Sequence, residues 1–475
     1  MSLRLSDATA SRLPDAVARS GYDRATQRIG IVHLGVGAFH RAHQAVYTDD
    51  AMAGGDRDWA IAGVSLRSPT ARDALAPQDG LFTVTHRGAT GEGTALVGAV
   101  RDLVVAPEAP DRVATLLASP GVHVVTLTVT EKAYYRQPDG SLDVAAVAAT
   151  GGTIYHHLAE GLARRRDACL PGLTLLSCDN LAGNGAVLAA GLATWLDRID
   201  PTLRRWSEAE CACPSSMVDR IVPAVSAVGL NEVERAIGLR DEGAVVTEPF
   251  RQWVIEDRFA GPRPRWELGG AQLVADVAPF EAAKLRMLNG AHSALAYLGL
   301  LAGHAFVHEA VADPGIAAVI EQLMRVEAAA SLDPAPGQDL SAYADALLAR
   351  FRNPALPHRL AQIATDGSQK IPQRWLETLT VNAARGRRCP AILRALAAWT
   401  IHVRGDGAPV NDPMAERLSA AWSTAGRAGI AAALFGDSGL VASRWRPDRE
   451  DKAAITADLT ALGHSSMVKT PERQF

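Results

Sequence analysis

The sequence predicts a two-part α/β chain, with an alternating strand and helix part over residues 1–280 and a mostly α-helical part over residues 281–475. Three observations predict it. Short β-branched runs alternate with helical stretches as far as Val277, the pattern of a parallel sheet. A glycine turn, Gly35-Val-Gly-Ala-Phe-His-Arg-Ala-His43, follows the first of those runs. After Phe280 the chain becomes alanine- and leucine-rich, with helical periodicity and few β-branched runs.

Taken in order, residues 1–27 form a polar lead-in. Ile29-Gly-Ile-Val-His-Leu34 reads as a buried parallel strand, and a helix to about Met52 follows the glycine turn. Gly35 permits a tight turn, and Gly37 lets a pyrophosphate approach the backbone at a helix N-terminus. This is the opening unit of a Rossmann-type dinucleotide-binding domain, although His40 stands where a third glycine is usual. The next strand, Trp59 to Leu66, ends in Leu66-Arg-Ser-Pro-Thr70 rather than in the acid that would hold ribose hydroxyls. Arg67 and Ser68 there tolerate a 2′-phosphate, so NAD and NADP both stay open. Leu81–His86 and Thr94–Val105 read as a hairpin. Val122–Val129 is the strongest strand signal and ends at Thr130-Glu-Lys-Ala-Tyr-Tyr135. A helix containing Tyr155 to Arg166 follows, then a strand Leu173–Cys178 that ends at Asp179-Asn180. Residues 214–225 read as a loop into a strand, and Val245–Ile255 and Gln272–Val277 as further strands. Polar clusters thus stand at three strand ends, where open α/β sheets bind ligands.

Composition narrows the function. Length suits two domains, and 48% hydrophobic residues suffice for sizeable cores. A net charge of −4 with interspersed signs excludes a nucleic-acid face. The five cysteines are scattered, which suggests reduced thiols in the cytoplasm. Cys211 and Cys213 form C-x-C without a nearby histidine, so no metal is expected there. The N-terminus lacks an apolar signal core, and the longest apolar stretch, around 293–311, is too polar for a membrane span. A polar tail is expected from His464 to Phe475.

One helix carries the candidate chemistry. From Pro279 to Leu298, Leu285, Leu288, Ala291, Leu295 and Leu298 repeat at helical spacing, interrupted by Lys284, Asn289 and His292. On a straight α-helix these three lie within roughly 140° of arc. A lysine, an amide and an imidazole facing one cavity suit a carbonyl or an alcohol. Taken alone, they equally fit a snorkelling lysine, a capping amide and a satisfied core histidine.

The motifs together resemble the polyol-specific long-chain dehydrogenases and reductases, the mannitol dehydrogenase family, with the fructuronate reductase branch nearest. They are the glycine turn, Thr128-Val-Thr-Glu-Lys132, Ser177-Cys-Asp-Asn180, Met217-Val-Asp-Arg-Ile221, Glu248-Pro-Phe-Arg-Gln-Trp253, Lys284-Leu-Arg-Met-Leu-Asn-Gly-Ala-His292 and Asp366-Gly-Ser-Gln-Lys-Ile-Pro372. The resemblance implies a Rossmann-type domain, a helical domain, a site between them, and NAD(P)-linked, zinc-free hydride transfer. It implies Lys284 as the catalytic acid and base, and Asn180 and Asn289 as amides that hold the reacting oxygen. His292 is implied to position lysine and substrate, with Glu281 in proton passage. Asp219 and Lys370 are implied near the substrate. Gly35, Gly37, Phe39, His40, Arg41, Arg67, Ser68 and Glu131 are implied to hold the cofactor. Such residue types fit the chemistry: amides stabilise a developing oxyanion, and an ammonium donates the proton that its free base reclaims in reverse.

Two substrate classes are in view. Lys132 follows the glutamate at a strand end where, to our reading, polyol members carry glycine, and a carboxylate needs such a cation. The Ser65–Thr70 segment likewise departs from the acidic pair associated with mannitol dehydrogenases. Reduction of D-fructuronate to D-mannonate is therefore expected, with mannitol or arabinitol oxidation as the alternative. Gln362 stands where an arginine is expected in mannitol dehydrogenases. The expected assembly is a monomer or weak homodimer.

Overall fold

The computed structural model describes residues 3–89 and 91–467. The tail expected from His464 lies, beyond Met467, outside the described residues. Cα packing divides the chain into two compact units, Met1–Ala278 and Pro279–Phe475.

The first unit is built on a parallel sheet of five strands: β1 (Ile29–Leu34), β2 (Ala60–Ser65), β3 (Val100–Val105), β4 (Val124–Leu127) and β5 (Thr174–Ser177). Their order across the sheet is β3-β2-β1-β4-β5, the doubly wound arrangement. β1 sits at the centre, with Val32 opposite both Ala62 and Val125. Alternate residues of β1 serve opposite faces. Val32 and Leu34 pack with the helices Pro110–Leu117, Ile154–Asp167 and Asn184–Ile199, while Ile31 packs with Gln44–Ala53, Trp253 and Trp266. Both faces are covered, which explains why the run is nearly all apolar. Each fully buried valine or leucine here is worth about 1.5–3 kcal/mol.

Two smaller sheets flank this one. Phe82–Gly88 and Gly91–Val97 form an antiparallel hairpin, bordered in parallel by Val17–Ala18 and Val245–Thr247. Gln252–Glu256 pairs antiparallel with Ser216–Asp219 and parallel with Gln272–Val274. The run expected as one strand from Thr94 to Val105 is two strands in different sheets. Gly98 breaks it, because its N–H goes to Asp49 Oδ1 at 2.8 Å and its carbonyl to Arg24 Nε at 2.8 Å. The expected Val245–Ile255 strand also divides. Pro249 has no N–H to offer, and Glu248 turns its carboxylate onto the Ile221 N–H at 2.6 Å. The expected helix to Met52 breaks at His43, whose φ of −124° and ψ of −88° separate Ala38–Ala42 from Gln44–Ala53.

The second unit is helical. Its core is the apolar helix Gly290–Ala302, where Ala291, Ala294, Leu295 and Ala296 are fully buried, packed against Pro390–His402. A helix apolar all round is one sealed by neighbours. Gly299 allows the close approach: a methyl group there would lie 2.6 Å from Leu360 Cδ1 and 2.8 Å from Ala310 Cβ. No helix of the described residues is long and apolar enough to cross a membrane.

Glu327 caps this packing from a distance. Its carboxylate is 2% exposed and accepts the N–H groups of Ala391 and Ile392, at 2.8 and 2.9 Å, in the first turn of Pro390–His402. Those bonds favour the anion, but desolvation outweighs them and pushes the carboxyl up to about 7. The unfolded chain releases this proton near 4.5, so between those values the folded state holds the extra proton. Stability therefore falls as pH rises through the window, by about 3 kcal/mol from this group. Urea unfolding across that range is expected to show the slope, and Glu327→Gln to remove most of it. An unchanged slope in the variant would assign it to other groups.

Candidate functional site

The turn after β1 is set by what cannot fit beside it. Gly35 has φ +102°, and a Cβ there would overlap the Thr128 carbonyl oxygen. His33 pins the turn from below. Its Nδ1 lies 2.8 Å from Thr126 Oγ1, and its Nε2 lies 3.0 Å from Gly35 O and 2.9 Å from Thr128 Oγ1. Burial drives the His33 pKa down to about 3, so the ring is neutral at physiological pH. His40 stacks on it with ring centroids 3.4 Å apart, and burial also drives its pKa well down.

Above the turn lies a cleft of about 590 Å³, within the range of small-molecule sites. Gly35, Gly37 and Arg41 line it, and so do Arg67 and Ser68, beyond β2. The nearest protein atom to a Cβ on Gly37 would be 3.9 Å away, so the backbone there is open to a ligand. Burial pulls the Arg41 pKa down, and its Nε is buried with no hydrogen-bond partner among the described residues. An underused cation beside an open helix start fits a dinucleotide diphosphate. Arg67 makes no ion pair among the described residues, and Ser68 Oγ lies 3.2 Å from Thr70 Oγ1. Phe39, His40 and Glu131 do not line the cleft. His40 is fully buried and stacked on His33, and its ring supports the turn.

The strand ends of β4 and β5 are stitched together by Asp179, a residue to which the sequence reading gave no role. Its Oδ1 accepts the N–H groups of Val129 and Thr130, both at 2.8 Å, and its Oδ2 accepts the Tyr134 hydroxyl at 2.8 Å. Burial pushes the Asp179 pKa up against these bonds. Thr130 has φ +72°, costly for a β-branched residue, and the paired amides hold it there. Glu131 and Lys132 follow in a short 3₁₀ turn, Glu131–Tyr134, and both are exposed. Lys132 forms no ion pair with Glu131 or with any other acid among the described residues. Asn180 is exposed after β5, whereas Asp219, at the end of Ser216–Asp219, is buried. Arg220 turns its guanidinium to the carbonyls of Ala42 and Glu248.

In the second unit the candidate helix is not the straight α-helix expected. Ala278–Ala283 and Gly290–Ala302 are α-helical, but Lys284–Asn289 between them is a π-helix. Bonding from i to i+5 sets residues five apart nearly one above the other. Lys284, Asn289 and His292 are thereby drawn from about 140° of arc into roughly 60°. All three are half-buried, and so is Glu281, a turn earlier. Two neighbouring side chains secure the exit of the π turn. Arg374 Nη1 donates to Asn289 O at 3.3 Å and to Ser293 Oγ at 2.7 Å, and Trp375 Nε1 donates to Gly290 O at 3.1 Å.

His292 packs on Phe351 with centroids 4.8 Å apart and meets the edge of His358 at 5.5 Å. Burial first, then the positive surroundings of His358, Arg350 and Arg374, drive its pKa well down. A neutral imidazole can orient a partner through either nitrogen, and Nε2 has no hydrogen-bond partner. Lys370 donates to Thr365 O at 2.7 Å and to Thr365 Oγ1 at 3.2 Å, and burial lowers its pKa. Gln362 is exposed in the short helix Leu360–Ile363. Among the described residues no three or more His, Cys, Asp or Glu converge as a metal-ligand set.

The roles of His33 and Asp179 were foreshadowed by one signal, a polar residue inside an otherwise apolar strand or at its end. Asp179→Ala is expected to cost about 2–4 kcal/mol of stability, because three donors lose their acceptor. It should also weaken dinucleotide binding to the cleft that Thr130 lines. Asp179→Asn keeps an acceptor for the amides and is expected to lose less of both. Calorimetric unfolding with dinucleotide titration checks this, and an unaffected Asp179→Ala would remove the stitching role.

The family comparisons agree with this architecture. Mannitol dehydrogenase Rossmann domain matches residues 29–268, and Mannitol dehydrogenase C-terminal domain matches residues 276–440. The chain is 38% identical to D-mannonate oxidoreductase of Escherichia coli (strain K12), covering 94% of this chain and 95% of that protein. It is 39% identical to mannitol 2-dehydrogenase of Pyricularia oryzae, covering 84% of each. Among solved structures, Pseudomonas fluorescens mannitol 2-dehydrogenase in ternary complex with NAD and D-mannitol superposes with a TM-score of 0.82 at 34% identity, over 99% of this chain and 100% of that one. A Rossmann sheet with a ligand-sized cleft, a helical second unit and these matches across nearly the whole chain place the protein in the mannitol dehydrogenase family of oxidoreductases.

Proposed function

We propose that this protein interconverts D-fructuronate and D-mannonate with NAD as its dinucleotide, using Lys284 as the acid and base and no metal. The observation that carries the uronate reading is Lys132, a cation at the β4 end with no ion pair among the described residues. The likeness to D-mannonate oxidoreductase supports it. A second reading, oxidation of a neutral polyol such as mannitol, is favoured by the similar identity to mannitol 2-dehydrogenase.

The two units serve as a dinucleotide-binding domain and a catalytic, substrate-binding domain, taken as residues 1–280 and 281–475. Gly35, Gly37 and Arg41 hold the diphosphate, and Arg67 and Ser68 the adenosine ribose. Arg67 and Ser68 also suit the 2′-phosphate of NADP, which is the cofactor alternative. When bound, the dinucleotide supplies or takes up a hydride at the substrate carbon. In the reducing direction the substrate oxygen gains negative charge. Asn289 and Asn180 donate amide N–H groups to that oxygen, as in an oxyanion hole. Lys284 gives it a proton and recovers one in the direction of oxidation. His292 orients the lysine and the substrate, Glu281 passes the proton, and Asp219 and Lys370 contact the sugar. A cytoplasmic location and a monomer or weak homodimer complete the proposal.

Lys284→Ala is expected to lower kcat by roughly 10²–10⁴-fold and to leave dinucleotide affinity unchanged. Loss of less than tenfold would remove the lysine from the chemistry. The substrate is decided by following D-fructuronate, D-tagaturonate, D-fructose and D-xylulose at 340 nm, with NADH and with NADPH, in the presence of chelator. Preference for D-fructuronate supports the uronate reading, and preference for D-fructose moves the protein to the polyol branch. Lys132→Ala is expected to raise KM for D-fructuronate more than for D-fructose, and equal changes would end its carboxylate role. Activity lost with chelator would overturn the lysine mechanism.

A further inference from the structure

The second unit holds a half-buried guanidinium with no counter-ion among the described residues. Arg374 lies in the π-helical turn Pro372–Leu376. Among the described residues its only hydrogen bonds run from Nη1 to Asn289 O and Ser293 Oγ, and neither acceptor carries a charge. No carboxylate among the described residues pairs with it. Its Nε and Nη2 make no bond to the described residues and are not among their sealed polar atoms, so that edge keeps accessible surface. Nε and Nη2 are the two parallel donors with which arginine grips a carboxylate side-on.

The surroundings sharpen the point. The charge of Arg374 acts on Lys370, one helical turn earlier, and on His292. Lys370 also forms no ion pair among the described residues, its bonds going to Thr365 O and Oγ1. Asp366 and Asp412 act on Lys370 in the opposite sense without pairing with it, and Asp412 is committed to the Ser368 N–H and hydroxyl, at 2.7 and 2.6 Å. Two like charges a helical turn apart repel, and partial burial removes the water that would screen them. An anion bound there would relieve the repulsion that these carboxylates leave. Arg374 sits beside the backbone of Asn289 and beside His292.

We propose that Arg374, with Lys370 beside it, is the subsite that grips the carboxylate of a sugar-acid substrate. This rests on the uronate reading and deepens it. Lys132 is an exposed charge, worth little in water, so the larger share of acid selectivity falls to Arg374.

The test is calorimetric titration of D-mannonate and D-mannitol into protein saturated with reduced dinucleotide, so that no turnover occurs, using wild type, Arg374→Met and Arg374→Lys. Wild type is expected to bind D-mannonate more tightly than D-mannitol. Arg374→Met should weaken D-mannonate by roughly 10–100-fold and D-mannitol by less than about threefold. Arg374→Lys, which keeps the charge but not the fork, should fall between. Equal losses for both ligands would make Arg374 a merely structural support for the π turn. An unchanged preference in Arg374→Met, or no D-mannonate binding to wild type, would overturn the subsite. Thermal unfolding identifies a misfolded variant, and Arg374→Lys decides if Arg374→Met does not fold. The substrate panel separates the two ideas. Turnover of D-fructuronate with unchanged selectivity in Arg374→Met keeps the function and loses the subsite. Turnover of D-fructose alone loses the function, and the titration still decides whether Arg374 binds carboxylates.

Discussion

A helix bonded from i to i+5 gives up the tight packing of an α-helix around its axis, and it persists only where neighbours hold it. Between Lys284 and Asn289 this widened turn is the constraint on which the placing of Lys284, Asn289 and His292 depends. It brings a lysine, an amide and an imidazole onto one narrow face, which an α-helix of the same sequence would spread out. Two further π turns, Leu323–Ala328 and Pro372–Leu376, pack directly against it. One of them supplies Arg374 and Trp375, whose donors reach consecutive carbonyls at the exit of the first. The other supplies Glu327, which caps the neighbouring core helix. The geometry of Lys284, Asn289 and His292 is thus a property of three packed turns rather than of one segment.

In the first unit the same logic acts through buried polar groups. His33 occupies the centre of an apolar sheet, and its ring is tolerated because both nitrogens meet partners. Those partners, Thr126, Thr128 and the Gly35 carbonyl, are the groups that shape the glycine turn. Asp179 does the equivalent work one strand over, gathering two amides and a hydroxyl on one carboxylate. Low local dielectric makes each of these bonds strong and makes each missing partner expensive. The walls of the cleft are therefore stiff where a ligand meets them.

Arginine is used in two distinct ways across the chain. Many guanidiniums close ion pairs at the surface, as Arg112 does with Asp102 and Arg164 with Glu160. Such exposed pairs contribute little. Arg41, Arg67 and Arg374 instead form no ion pair among the described residues. Arg41 and Arg67 line the cleft of the first unit, and Arg374 adjoins the helix that carries Asn289 and His292 in the second. Cations withheld from internal carboxylates remain available to anionic groups of ligands.

By itself the sequence determined the class of each unit, the central strand, the glycine turn and the helix that carries Lys284, Asn289 and His292. Those features are local. Period-two and period-3.6 patterning and the demand for φ above zero at Gly35 act over a few residues. The tertiary structure decided the rest. The runs Thr94–Val105 and Val245–Ile255 each read as one strand, because the bonds that divide them come from Asp49, Arg24 and Glu248, remote side chains that no local pattern announces. His40 reads as part of the turn motif, and only packing shows its ring buried against His33. The π turn was illegible because an extra residue in a helical turn leaves the apolar spacing nearly unchanged, while its stability comes from two other π turns distant in sequence. Arg374 escaped notice for a related reason: a guanidinium without a counter-ion is defined by what surrounds it in space, and surroundings exist only once the chain has folded.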